Sequence, residues 1–367
     1  MKIVFRTDAS IQIGTGHVMR CLALADALRE RGVQCRFISR QHQGHLFDLI
    51  KQHGHEAVLL PVGNDTRQPP TSSVYAGWLG TDWLTDAQQT RQAMEVRQPV
   101  DWLVVDHYAL DYNWEQALRP LCRKLMVIDD LADRFHDCDL LLDQNLGRTE
   151  QDYHNLVPPT ATLLISPRYA LLRPEFAKWR EYSLARRNSP ELKQLLITMG
   201  GVDKDNVTSQ ALEVIKTCQL PPDMQIIVVM GPQAPWLGQV QAQAAQMPWP
   251  TQVLVGVNNM AQLMAESDLA IGAAGSTSWE RCCLGLPTIQ VVLANNQREA
   301  AIALAELNAA ISILSAEEFT IEAKRLLDQI SNEKLKLLTS HGTEICNGCG
   351  TKFVVKELLS LTFIQES

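Results

Sequence analysis

The segment MKIVFRTDASIQIGTGHVMRCLALADALRER, residues 1–31, decides the fold class of this chain. It predicts an apolar strand over residues 2–7, a loop that carries two glycines, and an amphipathic helix over residues 18–31. A strand followed closely by a helix is typical of βαβ units, which form parallel sheets covered by helices on both faces. We therefore expect this segment to begin an α/β domain, and the absence of a long apolar run argues against a signal peptide.

The same alternation of strand and helix recurs on both sides of a proline-containing stretch near residue 168. We predict an α/β fold of two doubly wound Rossmann-like domains, residues 1–168 and residues 169–367, the second with a helical tail. Ligands of such sheets bind beyond the carboxyl ends of the strands, so we expect the two domains to face each other across a ligand-binding cleft. The predicted strands are 2–7, 34–39, 57–60, 102–105, 124–128 and 140–143 in the first half, and 194–198, 225–229, 251–254, 269–271 and 288–292 in the second.

The composition narrows the classes of partner. With 33 basic and 41 acidic residues, the formal net charge is -8, which argues against a nucleic-acid-binding protein. No apolar run approaches the roughly 18 residues of a membrane span, so we expect a cytoplasmic protein with no membrane partner. The nine cysteines are scattered, and the pair Cys346 and Cys349 lacks the further ligands of a zinc site. We therefore predict free thiols, no metal ion and no cofactor.

The loop between the first predicted strand and helix ends in Gly14-Thr15-Gly16-His17. Glycines let a backbone approach a ligand closely or adopt a positive φ. His17 falls in the first turn of the helix, where the helix dipole disfavours a protonated imidazole, and a neutral imidazole is the form that acts as a general base. The alternative is a glycine turn followed by a histidine that only caps or packs. The loop does not match a dinucleotide fingerprint, because Met19 stands at the third glycine position.

A second polar group, Asp106-His107-Tyr108, closes the buried strand predicted at residues 102–105. In a parallel sheet this end of the strand lies at the same edge as the loop before His17, so we expect the two segments to meet. The alternative is that Asp106 caps a turn and Tyr108 packs.

Three segments of the second half also follow predicted strands. Gly200 and Gly201 are suited to face a diphosphate. The segment Gly275-Ser276-Thr277-Ser278-Trp279-Glu280 leads into a helix whose free N–H groups can bind phosphate, and Glu280 can accept hydrogen bonds from ribose hydroxyls. Asn296 and Gln297 follow the last predicted strand. Ordinary turns, and a capping role for Glu280, are the alternatives.

Together these segments resemble the UDP-sugar hydrolases of pseudaminic acid biosynthesis, which act on UDP-2,4-diacetamido-2,4,6-trideoxy-β-L-altropyranose. That family belongs with the two-domain GT-B nucleotide-sugar enzymes. The resemblance covers roughly residues 1–300 and rests on Phe5-Arg6-Thr7-Asp8, Gln12-Ile13-Gly14 with Gly16-His17, Asp106-His107-Tyr108, Met199-Gly200-Gly201, Gly275-Ser276-Thr277 with Glu280, and Asn296-Gln297.

The resemblance implies a GT-B fold and an enzyme that releases UDP from C1 of the sugar, with water in place of a transferase's acceptor. It implies that His17, Tyr108 and Asn296 surround the reacting sugar as catalytic residues. A single water displacing UDP predicts inversion at C1. The expected substrate contacts are Asp8, Gly14, Thr15, Gly16, Gly200, Gly201, Ser276, Thr277, Glu280 and Gln297. The competing functions are a GT-B glycosyltransferase that passes the sugar to an acceptor, and a sensor that binds the nucleotide sugar without cleaving it.

Overall fold

The computed structural model describes residues 1–63, 74–95 and 98–363. The chain divides into two compact units, each with its own parallel β-sheet. Unit 1 comprises Met1–Leu171 with Gly350–Ser367, and unit 2 comprises Leu172–Cys349.

The elements follow one another in a nearly regular alternation. The strands are β1 Lys2–Thr7, β2 Gln34–Arg40, β3 Glu56–Leu60, β4 Val100–Asp106, β5 Cys122–Ile128, β6 Leu140–Asp143, β7 Thr162–Ile165, β8 Gln194–Thr198, β9 Gln225–Met230, β10 Thr251–Val255, β11 Leu269–Ala273, β12 Thr288–Val291 and β13 Ile311–Ile313. The α-helices are α1 Gly16–Arg29, α2 Phe47–Gln52, α3 Trp83–Met94, α4 Tyr112–Leu118, α5 Pro174–Arg186, α6 Val207–Ile215, α7 Leu237–Ala244, α8 Met260–Glu266, α9 Thr277–Cys283, α10 Arg298–Glu306, α11 Ala316–Asp328, α12 Asn332–Ile345 and α13 Gly350–Phe363.

Unit 1 is built on a seven-stranded sheet in the order β3-β2-β1-β4-β5-β6-β7. Side chains alternate between its two faces, so Phe5 packs under α1 together with Leu22, whereas Val105 packs on the other face with Trp114 of α4. Phe5 also stacks on Phe37 of β2, with ring centroids 4.8 Å apart. Because β1 and β4 are parallel neighbours, the loops that follow them lie side by side.

Unit 2 repeats this plan with a six-stranded sheet in the order β10-β9-β8-β11-β12-β13. Its core includes Ile197 of β8, Ile271 of β11 and Ile289 of β12, all fully buried. The adjacent positions of β8, β11 and β12 bring together the three loops that the sequence singled out in this half.

The predicted alternation is confirmed, because every strand expected from the sequence is present with bounds shifted by a few residues at most. Two edge strands, β7 and β13, were missed: each is short and half-exposed, so neither gives a clear period-two pattern. The sequence also predicts a polar helix over residues 79–96, where the structure has a 3₁₀ turn, Ala76–Leu79, followed by α3. Residue 96, its predicted end, lies outside the described residues.

The C-terminal helix departs from the predicted domain of residues 169–367, because α13 packs in unit 1. Val354, Val355 and Leu358 join the apolar cluster beneath α1. Gly350 admits this packing, since a Cβ there would collide with the backbone at Ala170. The sequence shows that the tail is amphipathic but not which sheet it covers. In the described part of the chain, no helix combines the length and apolarity needed to cross a membrane.

Truncation of Leu358, which is fully buried, tests this assignment. Leu358→Ala should lower the free energy of unfolding by about 2–4 kcal/mol, because it leaves a cavity between α13 and α1. Lys356→Ala, an exposed position on the same helix, is the control and should change it by less than about 0.5 kcal/mol. Urea denaturation of both variants measures the difference, and equal stabilities would contradict the packing described.

Candidate functional site

The loop that joins β1 to α1 is closed on itself by hydrogen bonds. The backbone groups of Ser10 and Gly14 bond to each other in both directions, with N···O distances of 3.3 and 2.8 Å. The Ser10 hydroxyl also accepts hydrogen bonds from the amides of Gln12 and Ile13. Gly14 has a φ of 82°, which favours glycine, and a Cβ there would meet no atom within 4 Å. The predicted contacts Gly14, Thr15 and Gly16 are thus half-buried, and hydrogen bonds within the loop constrain the backbone that leads into them.

His17 is the second residue of α1 and is 8% exposed. Its Nδ1 lies 2.6 Å from Oδ1 of Asp106, at the end of β4. An ionised carboxylate can only accept, so Nδ1 donates and a neutral imidazole keeps its acceptor lone pair on Nε2. Asp106 therefore holds the tautomer that a general base requires.

Arg20 ties this pair to the rest of the sheet edge. Its Nε and one terminal nitrogen donate to both oxygens of Asp106 at 2.7 Å, and the other terminal nitrogen donates to Asp130 at 2.6 Å. Burial would raise the pKa of Asp106, but the charges and hydrogen bonds of Arg20 and His17 outweigh it and hold that pKa well below its usual range. Asp106 is therefore ionised, as the assignment of the His17 tautomer requires.

Tyr108 completes a closed ring of contacts with these residues. Its hydroxyl donates to Asp130 Oδ2 at 2.8 Å, and its ring meets that of His17 edge-on, with centroids 4.6 Å apart. Burial, and then the nearby Asp130 charge, raise the pKa of the phenol well above its usual value, so Tyr108 stays protonated. The structure thus brings together His17 and Tyr108, two of the three predicted catalytic residues.

Asp8, a predicted substrate contact, lies instead in a buried ion network beneath this edge. Its side chain is fully buried, and Oδ1 accepts from Arg6 at 2.7 Å and from the Arg40 amide at 2.6 Å. Both arginines also bind Asp86 of α3, which is equally buried. Asp8 therefore anchors β1 and β2 to each other just before the loop, and its contact with a substrate stays a prediction.

In unit 2, Gly200 and Gly201 form the turn after β8, as predicted. Gly200 has a φ of 87° with open space at its Cβ position. The Gly201 carbonyl lies against Gly231, where any side chain would collide with it. Asp203 accepts hydrogen bonds from the first amides of α6, so that helix end is closed and the glycine turn itself is the accessible backbone.

The loop between β11 and α9 is supported from inside by Arg281, which is 2% exposed. Its guanidinium donates to the Ala273 carbonyl at 2.8 Å and to the hydroxyls of Thr277 and Ser278 at 3.2 and 3.0 Å. It also fills the place that a Cβ on Gly272 would need, which explains a glycine within β11.

Arg281 carries a buried charge that no carboxylate of the described chain pairs directly, although the charge of Glu280 acts on it from a longer distance. Within residues 1–63, 74–95 and 98–363, no carboxylate forms an ion pair with it, and its Nε has no hydrogen-bond partner. Burial lowers its pKa to about 10. A positive charge therefore lies against the side chain of Thr277, one of the residues predicted to face phosphate.

Glu280 and Gln297 flank the same loop. Burial raises the pKa of Glu280 to about 7, although Arg173 stands 3.8 Å from its Oε1. Gln297 Oε1 accepts from the Leu293 amide at 2.9 Å, and its Nε2 would lie 3.6 Å from a Cβ on Gly275. Asn296 lies half-buried in the same 3₁₀ turn, Asn295–Gln297. The predicted contacts of this half thus cluster around the β11–α9 loop.

Three residues of these clusters were missed by sequence reasoning. Arg20 lies three residues after His17, which places both on one face of α1. Asp130 follows β5, at the same sheet edge as Asp106. Both signals were present in the sequence. Arg281 gave none, since an arginine in a helix usually lies on its exposed face.

Comparison with known proteins identifies the fold. Residues 194–345 match the family model described as Glycosyltransferase family 28 C-terminal domain. The UDP-2,4-diacetamido-2,4,6-trideoxy-beta-L-altropyranose hydrolase of Campylobacter jejuni is 26% identical to this chain, over 83% of the chain and 97% of the relative. An uncharacterized protein of Methanocaldococcus jannaschii is 25% identical over 82% of this chain, and the matched part spans only 57% of that relative. The crystal structure of MurG from Acinetobacter baumannii has 17% identity and a TM-score of 0.65, covering 98% of this chain and 99% of MurG. The two α/β units are those of a GT-B fold.

The raised pKa of Glu280 predicts how stability depends on pH. The folded pKa, about 7, exceeds the unfolded value of about 4.3, so the native state binds the extra proton between these limits. The contribution of the protonated Glu280 carboxyl to the free energy of unfolding is fully present below about pH 4 and is lost as the pH rises to about 7. Glu280→Gln does not titrate, so its free energy of unfolding relative to the parent should rise by roughly 2–3 kcal/mol across this window.

Urea denaturation of the ligand-free protein at pH 4.5 to 8 measures this difference. Glu344→Gln, an exposed position on α12, is the matched control and should differ from the parent equally at each pH. A pH-independent difference for Glu280→Gln would show that its carboxyl is solvated in the folded protein.

Proposed function

We propose that this chain is a UDP-sugar hydrolase that releases UDP from C1 of a UDP-linked 2,4-diacetamido-2,4,6-trideoxy sugar, with water as the acceptor. The specific substrate is supported by the likeness to the Campylobacter jejuni enzyme, whose name states that sugar nucleotide. The nucleotide class is supported by the GT-B fold and by the glycosyltransferase family model that residues 194–345 match.

The observation that carries the proposal is the hydrogen bond between His17 and Asp106, 2.6 Å long. With Nδ1 committed to Asp106, Nε2 of His17 takes a proton from water as its oxygen bonds to C1. The resulting imidazolium is stabilised by the ionised carboxylate, as in hydrolytic triads. One water displaces UDP without a covalent sugar intermediate, so the configuration at C1 is inverted.

The leaving group is UDP, and its departure requires stabilisation of negative charge on the diphosphate. Arg281 supplies a buried positive charge that contacts the Thr277 hydroxyl and the Ala273 carbonyl, at the two ends of the β11–α9 loop. We retain Gly200, Gly201 and Gln297 as contacts of the nucleotide, and Glu280 as the acceptor for the ribose hydroxyls. Asn296 is retained beside the sugar, and Gly14, Thr15 and Gly16 as backbone contacts.

A GT-B glycosyltransferase is the alternative, because the family model matched by unit 2 is a glycosyltransferase domain. The base would be the same, since His17 can deprotonate a hydroxyl of a second sugar as well as water. Release of free sugar without any added acceptor separates the two functions.

Replacement of His17 tests the proposed mechanism. His17→Asn retains similar size and polarity but cannot take the proton, so kcat should fall on the order of 10²–10⁴-fold. The experiment incubates the UDP-diacetamido-trideoxy sugar with each protein and follows UDP, free sugar and its anomer by NMR. UDP affinity should survive, because the proposed nucleotide contacts lie in unit 2.

The control for this experiment is His154→Asn, an exposed histidine bonded only to its neighbour Asn155. It should turn over at the parent rate. A His17→Asn enzyme as fast as the parent would refute the assignment of the base, and a product of retained configuration would refute single displacement by water.

Replacement of Arg281 tests the stabilisation of the diphosphate. Arg281→Met should weaken UDP binding by roughly 10- to 100-fold, since it removes a buried charge close to the anion. Uridine, which lacks the diphosphate, should bind both proteins about equally. Titration calorimetry with UDP and uridine measures the two affinities.

Arg187→Met is the matched control, because Arg187 is also buried and donates to the carbonyls of Met264, Ser267 and Leu284. It should leave the UDP-to-uridine affinity ratio unchanged. If Arg281→Met weakens UDP and uridine equally, its role is confined to holding the loop.

A further inference from the structure

Two aromatic residues outside the predicted site pack around His17 and Tyr108. Tyr75 and Trp78 belong to the segment that ends in the 3₁₀ turn Ala76–Leu79. The Trp78 ring stacks on Tyr108, with centroids 5.7 Å apart and planes 29° apart, and meets His17 edge-on at 6.5 Å. The Tyr75 ring lies 5.1 Å from that of Tyr108 and 4.8 Å from that of Trp78.

The backbone of this segment holds the two rings on one side. The Trp78 amide donates to the Tyr75 carbonyl at 2.9 Å, and residues three apart in a 3₁₀ turn lie on the same face. Leu79, which follows, is 2% exposed and enters the apolar core. Gly80 then accepts a backbone hydrogen bond from Gly63, which ties the segment to the end of β3. The positions of the rings are therefore set by the fold.

Both rings belong to residues that remain partly exposed to solvent. Tyr75 and Trp78 are half-buried, whereas Tyr108 and His17, which they contact, are 3% and 8% exposed. A partly exposed aromatic surface beside the proposed base is suited to an apolar part of the substrate, because burying apolar groups against aromatic rings is favourable.

We propose that Tyr75 and Trp78 form the sugar subsite, and that they select a deoxy sugar with acetamido substituents over a hydroxylated one. This inference rests on the proposed function. The C6 methyl and the acetyl methyls of such a sugar gain by leaving water for the faces of these rings, whereas hydroxyl groups at the same positions lose hydrogen bonds with water. The rings carry no charge and contact the residues proposed to act on C1, so they recognise the sugar and leave UDP to unit 2.

The test compares affinities in the His17→Asn background, where the nucleotide sugar stays intact. Calorimetry gives the Kd of UDP, of the UDP-diacetamido-trideoxy sugar and of UDP-glucose. Trp78→Ala should weaken binding of the diacetamido-trideoxy sugar about tenfold, because two or more methyl groups lose their apolar contact. The Kd of UDP and of UDP-glucose should change less than about twofold.

Two further variants keep the test decisive. Trp78→Leu retains apolar volume but no flat ring, and should show a smaller loss of the same kind, so it replaces Trp78→Ala if that variant does not fold. Tyr182→Ala removes an aromatic residue of unit 2 that is 48% exposed, and should change none of the affinities.

Unchanged affinity for the diacetamido-trideoxy sugar in both Trp78 variants would overturn the inference, as would an equal loss for UDP. In the parent background, Trp78→Ala should raise KM for this sugar and largely keep kcat; a fall in kcat alone would instead mean that Trp78 only positions His17. Failure of the proposed function gives a different result from failure of the subsite, because the parent protein would then bind the nucleotide sugar without releasing UDP.

Discussion

The candidate site of unit 1 depends on the hydrogen bonds that the buried carboxylate of Asp106 accepts. Asp106 lies at the end of β4, and α1 supplies partners to both of its oxygens through His17 and Arg20. Because these two residues are three apart on one helix, a single carboxylate fixes the rotation of α1 about its axis, and with it the plane and tautomer of the imidazole. Arg20 also reaches Asp130, which in turn holds Tyr108. Burying the Asp106 carboxylate costs free energy, but this charge fixes the positions of His17 and Arg20.

In unit 2 the buried charge of Arg281 lacks an ion pair within the part of the chain that the structure describes, in contrast to Asp106 of unit 1, which Arg20 pairs. Arg281 donates to a carbonyl and two hydroxyls, and in the described residues no carboxylate pairs with it. The guanidinium fits against β11 because residue 272 is a glycine and has no Cβ to collide with it. The position of the charge therefore depends on two residues, Gly272 and Arg281, nine positions apart. A buried cation without a close ion pair destabilises the free protein. On the proposed function, a diphosphate bound beside this loop would recover that cost, so UDP would stabilise the folded protein.

The sequence predicted the sheets, and it predicted which loops lie together, because parallel strands send their following loops to one edge. His17 and Tyr108 were found on that ground. The short strands β7 and β13 were missed because three or four half-exposed residues carry no periodicity. The sequence could not predict that α13 packs on the sheet of unit 1, because the apolar residues of a helix do not show which surface they contact. Trp78 was missed because its stacking on Tyr108 joins residues thirty positions apart, and local pattern carries no such contact.

The choice between hydrolysis and transfer does not lie in the chemistry of the base. An imidazole oriented by a carboxylate deprotonates water and sugar hydroxyls by the same step, and the same diphosphate contacts serve both reactions. The difference lies in what can approach Nε2. The rings of Tyr108 and Trp78 both contact His17 edge-on, with centroids 4.6 and 6.5 Å from its own. On the proposed function, these two rings bound the space that the attacking oxygen must enter, so the size of that space decides between water and a larger acceptor.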